Sequence, residues 1–171
     1  MKLKGKGFVI RLYKKGDEES LKENVNDFDI YRHTCRIPHP FTKKDAKWWI
    51  NYNLKLAKLK NKKEINFAID INGKVVGGIG FNHIECHKAE MGYWLGKKYW
   101  NKGIITKAVN LVTDYGLNNL KLIRIYATVF SFNKKSSRVL VKNGYKKEGL
   151  LRKHCSKDGK YIDAYLYAKI K

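Results

Sequence analysis

The stretch YWNKGIITKA, from Tyr99 to Ala108, places a glycine where an apolar helical pattern begins. Apolar residues recur at helical spacing after it, so the sequence predicts a helix over residues 103–118. The first N–H groups of a helix and its macrodipole attract anions, and Gly103 has no Cβ to keep a phosphate away from them. The stretch therefore favours an anion site, with an ordinary strand-to-helix turn as the alternative.

Strand patterns lie on both sides of this helix and indicate a mixed α/β fold. One parallel pair is expected inside a mostly antiparallel sheet, because a helix separates two strands in the middle of the chain. Helix and hairpin signals include Thr42 as an N-cap, Gly144 as a helix stop, and the turns Asn72-Gly73 and Asp158-Gly159. The predicted elements are strands at 8–13, 66–71, 75–85, 89–95 and 123–130, helices at 17–25, 43–60, 103–118 and 133–143, and two closing strands around 156–160.

Length and composition predict one soluble, intracellular domain over residues 1–171. The three cysteines are widely spaced and favour reduced thiols in the cytoplasm, since they form neither a CxxC motif nor an even set. No run is as long and apolar as a membrane span, so no membrane partner is expected. His83 and His87, with Cys86 between them, lack a second ligand pair, so no metal is expected. VGGIG at 76–80 is interpreted as strand glycines that make room for a neighbour.

The net charge is the unusual quantity, because 37 Lys and Arg oppose 15 Asp and Glu to give +22. Such a surface attracts nucleic acid, acidic proteins or phosphorylated ligands. A general lysine bias of the proteome is the alternative interpretation. The charge bears on partners and leaves the fold open.

Four segments occur together in order: VVGGIGF, AEMGYWLGKKYWNKGIITKAV, IRIYATVFSFNKKSSRVLVKNGYKKEGLLRK and DGKYIDAYLY. They resemble the GNAT superfamily of acetyl-CoA-dependent N-acetyltransferases, over roughly residues 7–168, and the branch that acetylates the N-termini of ribosomal proteins most closely. The resemblance implies the GNAT fold, with acetyl-CoA between two strands that splay apart. It also implies cofactor contacts for the backbone of Trp94 and Leu95, for Asn133 and Ser136, and for the phosphate loop Trp100, Asn101, Lys102, Gly103, Ile104, Ile105 and Thr106. Lys97, Lys134, Lys135 and Arg138 are candidates for the remaining phosphate charge, with a solvated surface charge as the alternative for each.

The catalytic residues follow the family pattern less closely. Many relatives carry a tyrosine acid where this chain has Leu140, and the resemblance to the ribosomal-protein branch implies Ser136 as the acid instead. The phosphate loop also departs from the family at Ile105, where Gly or Ala is usual. Glu90 is the expected general base, with an ordinary strand-end charge as the alternative. Some relatives place the base where this chain has His154 and Cys155.

The resemblance implies direct attack of a neutral amine on the thioester, without an acyl-enzyme and without a metal. The expected acceptor is the N-terminal α-amine of a protein, with ribosomal proteins as candidates and the basic surface placed beside RNA. A small-molecule amine acetyltransferase for polyamines, antibiotics or amino acids is the first alternative. A nucleic-acid-binding protein that has kept the fold and lost catalysis is the second. The chain leaves open whether it is a monomer or a homodimer.

Overall fold

The computed structural model describes residues 2–171 and contains a sheet of eight strands with five α-helices. A 3₁₀ turn, Lys97–Tyr99, follows β5. No helix in the described range is both long and apolar enough to span a bilayer. The elements are β1 (Lys2–Gly5), β2 (Phe8–Leu12), α1 (Glu18–Val25), α2 (Phe28–Arg32), α3 (Lys43–Ala57), β3 (Ile65–Ile71), β4 (Lys74–Glu85), β5 (Lys88–Leu95), α4 (Ile104–Asn118), β6 (Arg124–Phe130), α5 (Lys134–Lys142), β7 (Lys146–Lys157) and β8 (Lys160–Ile170).

The strands lie in the order β1-β2-β3-β4-β5-β6-β8-β7, and all neighbours are antiparallel except β5 and β6. The predicted mixed sheet with one parallel pair is therefore confirmed. β5 and β6 pair only from Lys88 to Glu90 against Arg124 to Tyr126. Beyond this short ladder the two strands separate, and the opening between them is the feature that positions the site.

Most predicted elements are present, and the local signals explain why. Thr42 begins α3 with a capping box, in which its side chain accepts from the Asp45 N–H and Asp45 binds back to the Thr42 N–H. Asn72 and Gly73 both have positive φ (52° and 81°), as a type I′ turn requires. The predictions omitted β1 and α2, which contain four and five residues and are too short for a periodic pattern to identify.

The two faces of the sheet carry separate apolar cores. α4 packs on one face, where Val109 and Val112 are fully buried, and α1 and α3 pack on the other, where Leu21 and Ile50 are buried. The glycines of β4 make room for neighbours, as predicted. A Cβ built on Gly78 would lie 2.4 Å from Trp94 Nε1, a separation that real side chains do not adopt.

A buried ion-pair cluster joins β2, α1 and β3. Arg11 donates from Nη1 and Nη2 to the two carboxylate oxygens of Asp17 at 2.7 and 2.8 Å. Its Nε donates to Asp70 Oδ2 at 2.7 Å. Both carboxylates are almost fully buried, so the single guanidinium compensates two charges that water does not reach.

Candidate active site

A cleft of about 1510 Å³ opens where β5 and β6 separate. The Gly96 N–H donates to Val76 O at 2.8 Å, which directs the backbone of Gly96 towards β4. Backbone groups of a strand alternate between its two edges, so the Tyr93 and Leu95 groups point into the cleft. The Trp94 carbonyl faces β4 instead, 2.8 Å from a Cβ built on Gly77, and it is the Trp94 side chain that borders the cleft.

The carbonyl of Leu95 already has a partner in the chain. Trp100 Nε1 donates to it at 2.6 Å, which ties the loop after β5 back onto the strand. The Leu95 N–H is left facing the cleft on the edge that β6 does not pair. Of the two backbone positions predicted to contact the cofactor, Leu95 thus offers a donor in the opening, whereas the Trp94 backbone is turned into the sheet.

The N-terminus of α4 is uncapped. Gly103 is its N-cap residue, no side chain caps it in the described part of the chain, and its first turn has no acidic residue. α3 and α5, by contrast, are capped by Thr42 and Asn133. The N–H groups of Ile104, Ile105 and Thr106 are consequently free donors at the positive end of a 15-residue helix.

The backbone conformation of the loop explains the glycine. Gly103 has φ of 71°, and Asn101, which is exposed, has φ of 60°. A Cβ built on Gly103 would meet no atom within 4 Å, so the glycine relieves backbone strain and does not relieve crowding within the chain. The space beside it is open on the side where an anion would contact the helix.

The basic side chains around this turn differ in whether a carboxylate pairs with them. Lys97 forms an ion pair with Asp29 at 2.6 Å, and Lys98 forms one with Glu23 at 2.7 Å. Lys102 lies over the Tyr99 ring and Lys135 over the Trp100 ring, at 5.8 and 5.0 Å from the ring centroids. Lys134, Lys135 and Arg138 are exposed and line the cleft.

The start of α5 brings a second polar group to the same opening. Asn133 caps the helix by accepting from the Ser136 N–H at 3.1 Å. The Ser136 hydroxyl lies 2.8 Å from the Tyr93 hydroxyl, and Tyr93 also donates to the Ser136 carbonyl at 3.2 Å. Burial raises the pKa of Tyr93, which keeps its phenol protonated. Leu140, at the position where many relatives carry a tyrosine, is fully buried in the core.

Tyr93 was not among the predicted site residues. The GYWL motif contains it, but the motif alone does not indicate which of its side chains meets the helix after β6. The contact depends on the register of β5 against β6 and on the position of α5, both of which are tertiary features. Alternation along β5 puts Tyr93 on the α4 face and Glu90 on the opposite face.

Glu90 lies at the point where β5 and β6 separate. Thr128 Oγ1 donates to its Oε1 at 2.7 Å, and His83 Nε2 lies 4.0 Å from its Oε2. The carboxylate side chain is 20% exposed, so it faces the cleft while its first oxygen is held in place. No three His, Cys, Asp or Glu side chains between residues 2 and 171 form a set that could hold a metal.

The two alternative base residues are elsewhere on the cleft. His154 and Cys155 line it from β7. Burial, followed by the contact with Cys35, raises the pKa of the Cys155 thiol to about 12. Cys155 therefore stays a neutral thiol and is a poor base or nucleophile.

Comparison with known proteins agrees with this geometry. Residues 8–146 match the acetyltransferase (GNAT) domain family. An uncharacterized N-acetyltransferase of Bacillus licheniformis, p20, is 41% identical over 100 residues, and that match covers 57% of this chain and 56% of p20, so it spans about half the length of either protein. The L-amino acid N-acetyltransferase AaaT of Escherichia coli is 28% identical over 167 residues, which cover 95% of this chain and 98% of AaaT.

Solved structures share the whole architecture. The ribosomal-protein-S5-alanine acetyltransferase of Vibrio fischeri superposes with a TM-score of 0.88 at 26% identity, covering 99% of this chain and 96% of that protein. Other structures with this fold were solved with coenzyme A or acetyl-CoA bound. Because the family match covers most of the chain and the fold agrees throughout, this protein belongs to the GNAT acetyltransferase family.

Proposed function

We propose that this chain is an N-acetyltransferase that uses acetyl-CoA to acetylate a primary amine. The observation that carries the proposal is the cleft between β5 and β6, which ends at the uncapped N-terminus of α4. A pyrophosphate fits the free N–H groups of Ile104, Ile105 and Thr106, because it supplies the acceptors that the helix lacks. Asn101, Lys102 and Gly103 form the loop beside it, and Trp100 holds that loop to β5.

The remaining cofactor contacts follow from the same cleft. The Leu95 N–H is a donor for the acetyl carbonyl, where it would stabilise negative charge as the amine adds. The Trp94 side chain borders the opening, and Asn133 and Arg138 lie at the α5 side of it. Acetyl-CoA supplies an activated acyl group, and the protein's part is to orient it and to move protons.

Two side chains are suited to move those protons. Glu90 has one oxygen fixed by Thr128, which leaves the other free to accept a proton from the amine, directly or through water. Ser136 can donate towards the departing thiolate, while Tyr93 holds its hydroxyl from the other side. Direct transfer needs no acyl-enzyme, so none of the three cysteines is given a nucleophilic role.

We propose the N-terminal α-amine of a protein as the acceptor. The likeness to the Vibrio fischeri ribosomal-protein acetyltransferase supports a ribosomal acceptor, and the net charge of +22 would favour a position beside RNA in the cytoplasm. A free amino acid is the second candidate, because AaaT matches nearly the whole chain. An α-amine is easier to use than a lysine amine, since its pKa of about 8 leaves more of it neutral.

The test combines binding with turnover. The protein is titrated with acetyl-CoA in a calorimeter at moderate salt, and release of the CoA thiol is then followed with peptides, free amino acids and a polyamine as acceptors. Micromolar binding with thiol release on an α-amine is expected. RNA binding that falls steeply with salt, without acetyl-CoA binding, would favour the non-catalytic alternative and contradict the proposal.

A further inference from the structure

Three aromatic side chains of α3 line the cleft on the face of the sheet that carries Glu90, and we call them the α3 wall: Trp48, Trp49 and Tyr52. The rings of Trp48 and Tyr52 are stacked, with centroids 5.3 Å apart and planes 5° from parallel. The centroid of the Trp49 ring lies 6.0 Å from that of the Tyr52 ring. Trp48 is 61% exposed, so the wall presents a large apolar surface to the cleft that the chain itself does not cover.

Buried packing holds one side of the wall in position. The Tyr13 ring, which is 4% exposed, meets the Trp49 ring edge to face with centroids 6.1 Å apart, and Trp49 and Trp94 both pack against the apolar core on this face of the sheet. Gly78 leaves the space for this packing, since a Cβ there would lie 2.7 Å from the Tyr13 hydroxyl. The wall is thus a pre-organised surface, which lowers the entropy lost when a ligand packs against it.

The floor of the cleft next to the wall has no side chain at one position. Gly92 lies between Glu90 and Trp94 on the same face of β5. A Cβ built there would meet only Asn82 Nδ2, at 3.4 Å, so the position is open to a ligand. An amine beside Glu90 therefore has room to place its substituent over Gly92, in the part of the cleft that the wall borders.

The charges near the wall argue against a cationic substituent. Glu64 accepts from the Tyr52 hydroxyl at 2.9 Å and from Asn66 Nδ2 at 2.5 Å. Asp45 is engaged in the capping box of α3. These hydrogen bonds leave the charges of Glu64 and Asp45 in place but engage their oxygens within the chain, and the net charge of +22 disfavours the approach of a polycation. The wall therefore suits an apolar group better than a polyamine.

We infer that the acceptor is an α-amine whose own carbon carries a large apolar side chain, aromatic by preference, which packs on the α3 wall. This rests on the proposed function. The N–C bond forms between the amine and the acetyl carbon, the C–S bond breaks, and the proton lost by the amine is balanced by the one gained by the CoA thiolate. The same chemistry is offered by a free amino acid and by the first residue of a peptide.

The experiment compares matched acceptors in the full-length protein. Phenylalanine amide is set against alanine amide, and a peptide that begins with Phe against one that begins with Ala, with spermidine as the cationic acceptor. Burying the ring in place of a methyl group predicts a kcat/KM about 30-fold higher for the Phe acceptors. Whether the amides or the peptides react faster then identifies the source of the amine.

Variants assign that preference to the wall. Trp48→Ala and Tyr52→Ala are expected to reduce the Phe-to-Ala ratio to below about fivefold, because each removes half of the stacked pair. Tyr161→Ala is the matched control, since Tyr161 is 71% exposed near the turn between β7 and β8 and does not line the cleft. Trp48→Ala removes a mostly exposed side chain and should therefore leave the protein folded. Thermal melting confirms this before the Phe-to-Ala ratio of kcat/KM is measured.

The outcomes separate the inference from the proposed function. Acetyl-CoA binding and turnover with equal kcat/KM for Phe and Ala acceptors, or with spermidine preferred, would overturn the inference and leave the acetyltransferase in place. A Phe-to-Ala ratio of kcat/KM that stays at its wild-type value in both Trp48→Ala and Tyr52→Ala would also overturn the inference. Failure to bind acetyl-CoA and to acetylate any acceptor would overturn both.

Discussion

Placing a negative charge at Gly103 tests the anion site directly. The isosteric pair Gly103→Glu and Gly103→Gln carries the same backbone strain, roughly 1–2 kcal/mol for a side chain at φ of 71°. The two variants also fill the same open space, because no atom of the chain lies within 4 Å of the new Cβ. Any difference between them in acetyl-CoA affinity therefore reports the charge.

The expected size follows from Coulomb's law. At a separation of ~6 Å and an effective dielectric constant of ~40 for this exposed position, two unit charges repel by about 1.4 kcal/mol. The Glu variant should then bind acetyl-CoA about tenfold more weakly than the Gln variant, and the difference should shrink as salt is added. A carboxylate at the N-cap also offers the α4 amides an acceptor of their own, which strengthens the competition.

Calorimetry on both variants and on the wild type measures these affinities, and thermal melting measures the fold. The Glu variant should melt no lower than the Gln variant, because its charge favours the helix N-terminus. Equal dissociation constants for the two variants at low salt would refute the placement of the pyrophosphate on α4. A weaker Gln variant with an unaffected Glu variant would refute it as well.

Four further substitutions test the acid, the buried ion pair and a buried tyrosine. Ser136→Ala should lower kcat about 10- to 100-fold with little change in KM. Tyr93→Phe should lower kcat less, because that variant keeps the Ser136 hydroxyl and loses only the hydroxyl that holds it. Release of the CoA thiol measures both variants, and an unchanged kcat in Ser136→Ala would contradict Ser136 as the acid. Arg11→Met leaves two buried carboxylates unpaired and should destabilise the protein by about 3 kcal/mol, lowering Tm by roughly 6–12 °C in a melting curve. Burial raises the pKa of Tyr145 from an ordinary value of 10.0 to about 12, so the unfolded chain loses this proton first and the free energy of unfolding falls between those pH values. Denaturant titrations of Tyr145→Phe should show a free energy of unfolding that falls less steeply with pH, by about 1.4 kcal/mol per pH unit. If the variant and the wild type lose stability with pH at the same rate, Tyr145 is excluded as the source of the loss.

The elements with strong local signals could be predicted from the sequence. The helix at 103–118 differs from α4 by one residue at its start, because Gly103 is its cap and does not belong to its first turn. The hairpin at Asn72-Gly73 needed only two residues with positive φ. The omitted elements, β1 and α2, form because neighbours support them: β1 pairs along its whole length with β2, and Asp27 caps α2.

The candidate site was less predictable, because its contacts join residues that are distant in the chain. The partner of Glu90 is Thr128, 38 residues away, and the pair exists only because Glu90 lies opposite Tyr126 in the parallel ladder. Trp49 lies within the predicted helix at 43–60, but a helical pattern does not distinguish a core face from the wall of a cleft. The exposure of Trp48 and the bare floor at Gly92 became visible only with the sheet in place.

The geometry of the parallel pair explains why this cleft stays open to a ligand. Backbone groups at an unpaired strand edge need partners, and a closed β5–β6 ladder would supply them from within the chain. The ladder stops after Glu90, and the loop returns Trp100 to take the carbonyl of Leu95, so one acceptor on this edge is satisfied and the donors remain free. Of the Tyr93 and Leu95 backbone groups on this edge, two donors and one acceptor remain, which suits a ligand rich in carbonyl and phosphate oxygens better than another strand, which would need equal numbers of both. The same asymmetry recurs at α4, where the amides are again left without acceptors, and it makes the two ends of the cleft complementary to one extended, oxygen-rich molecule.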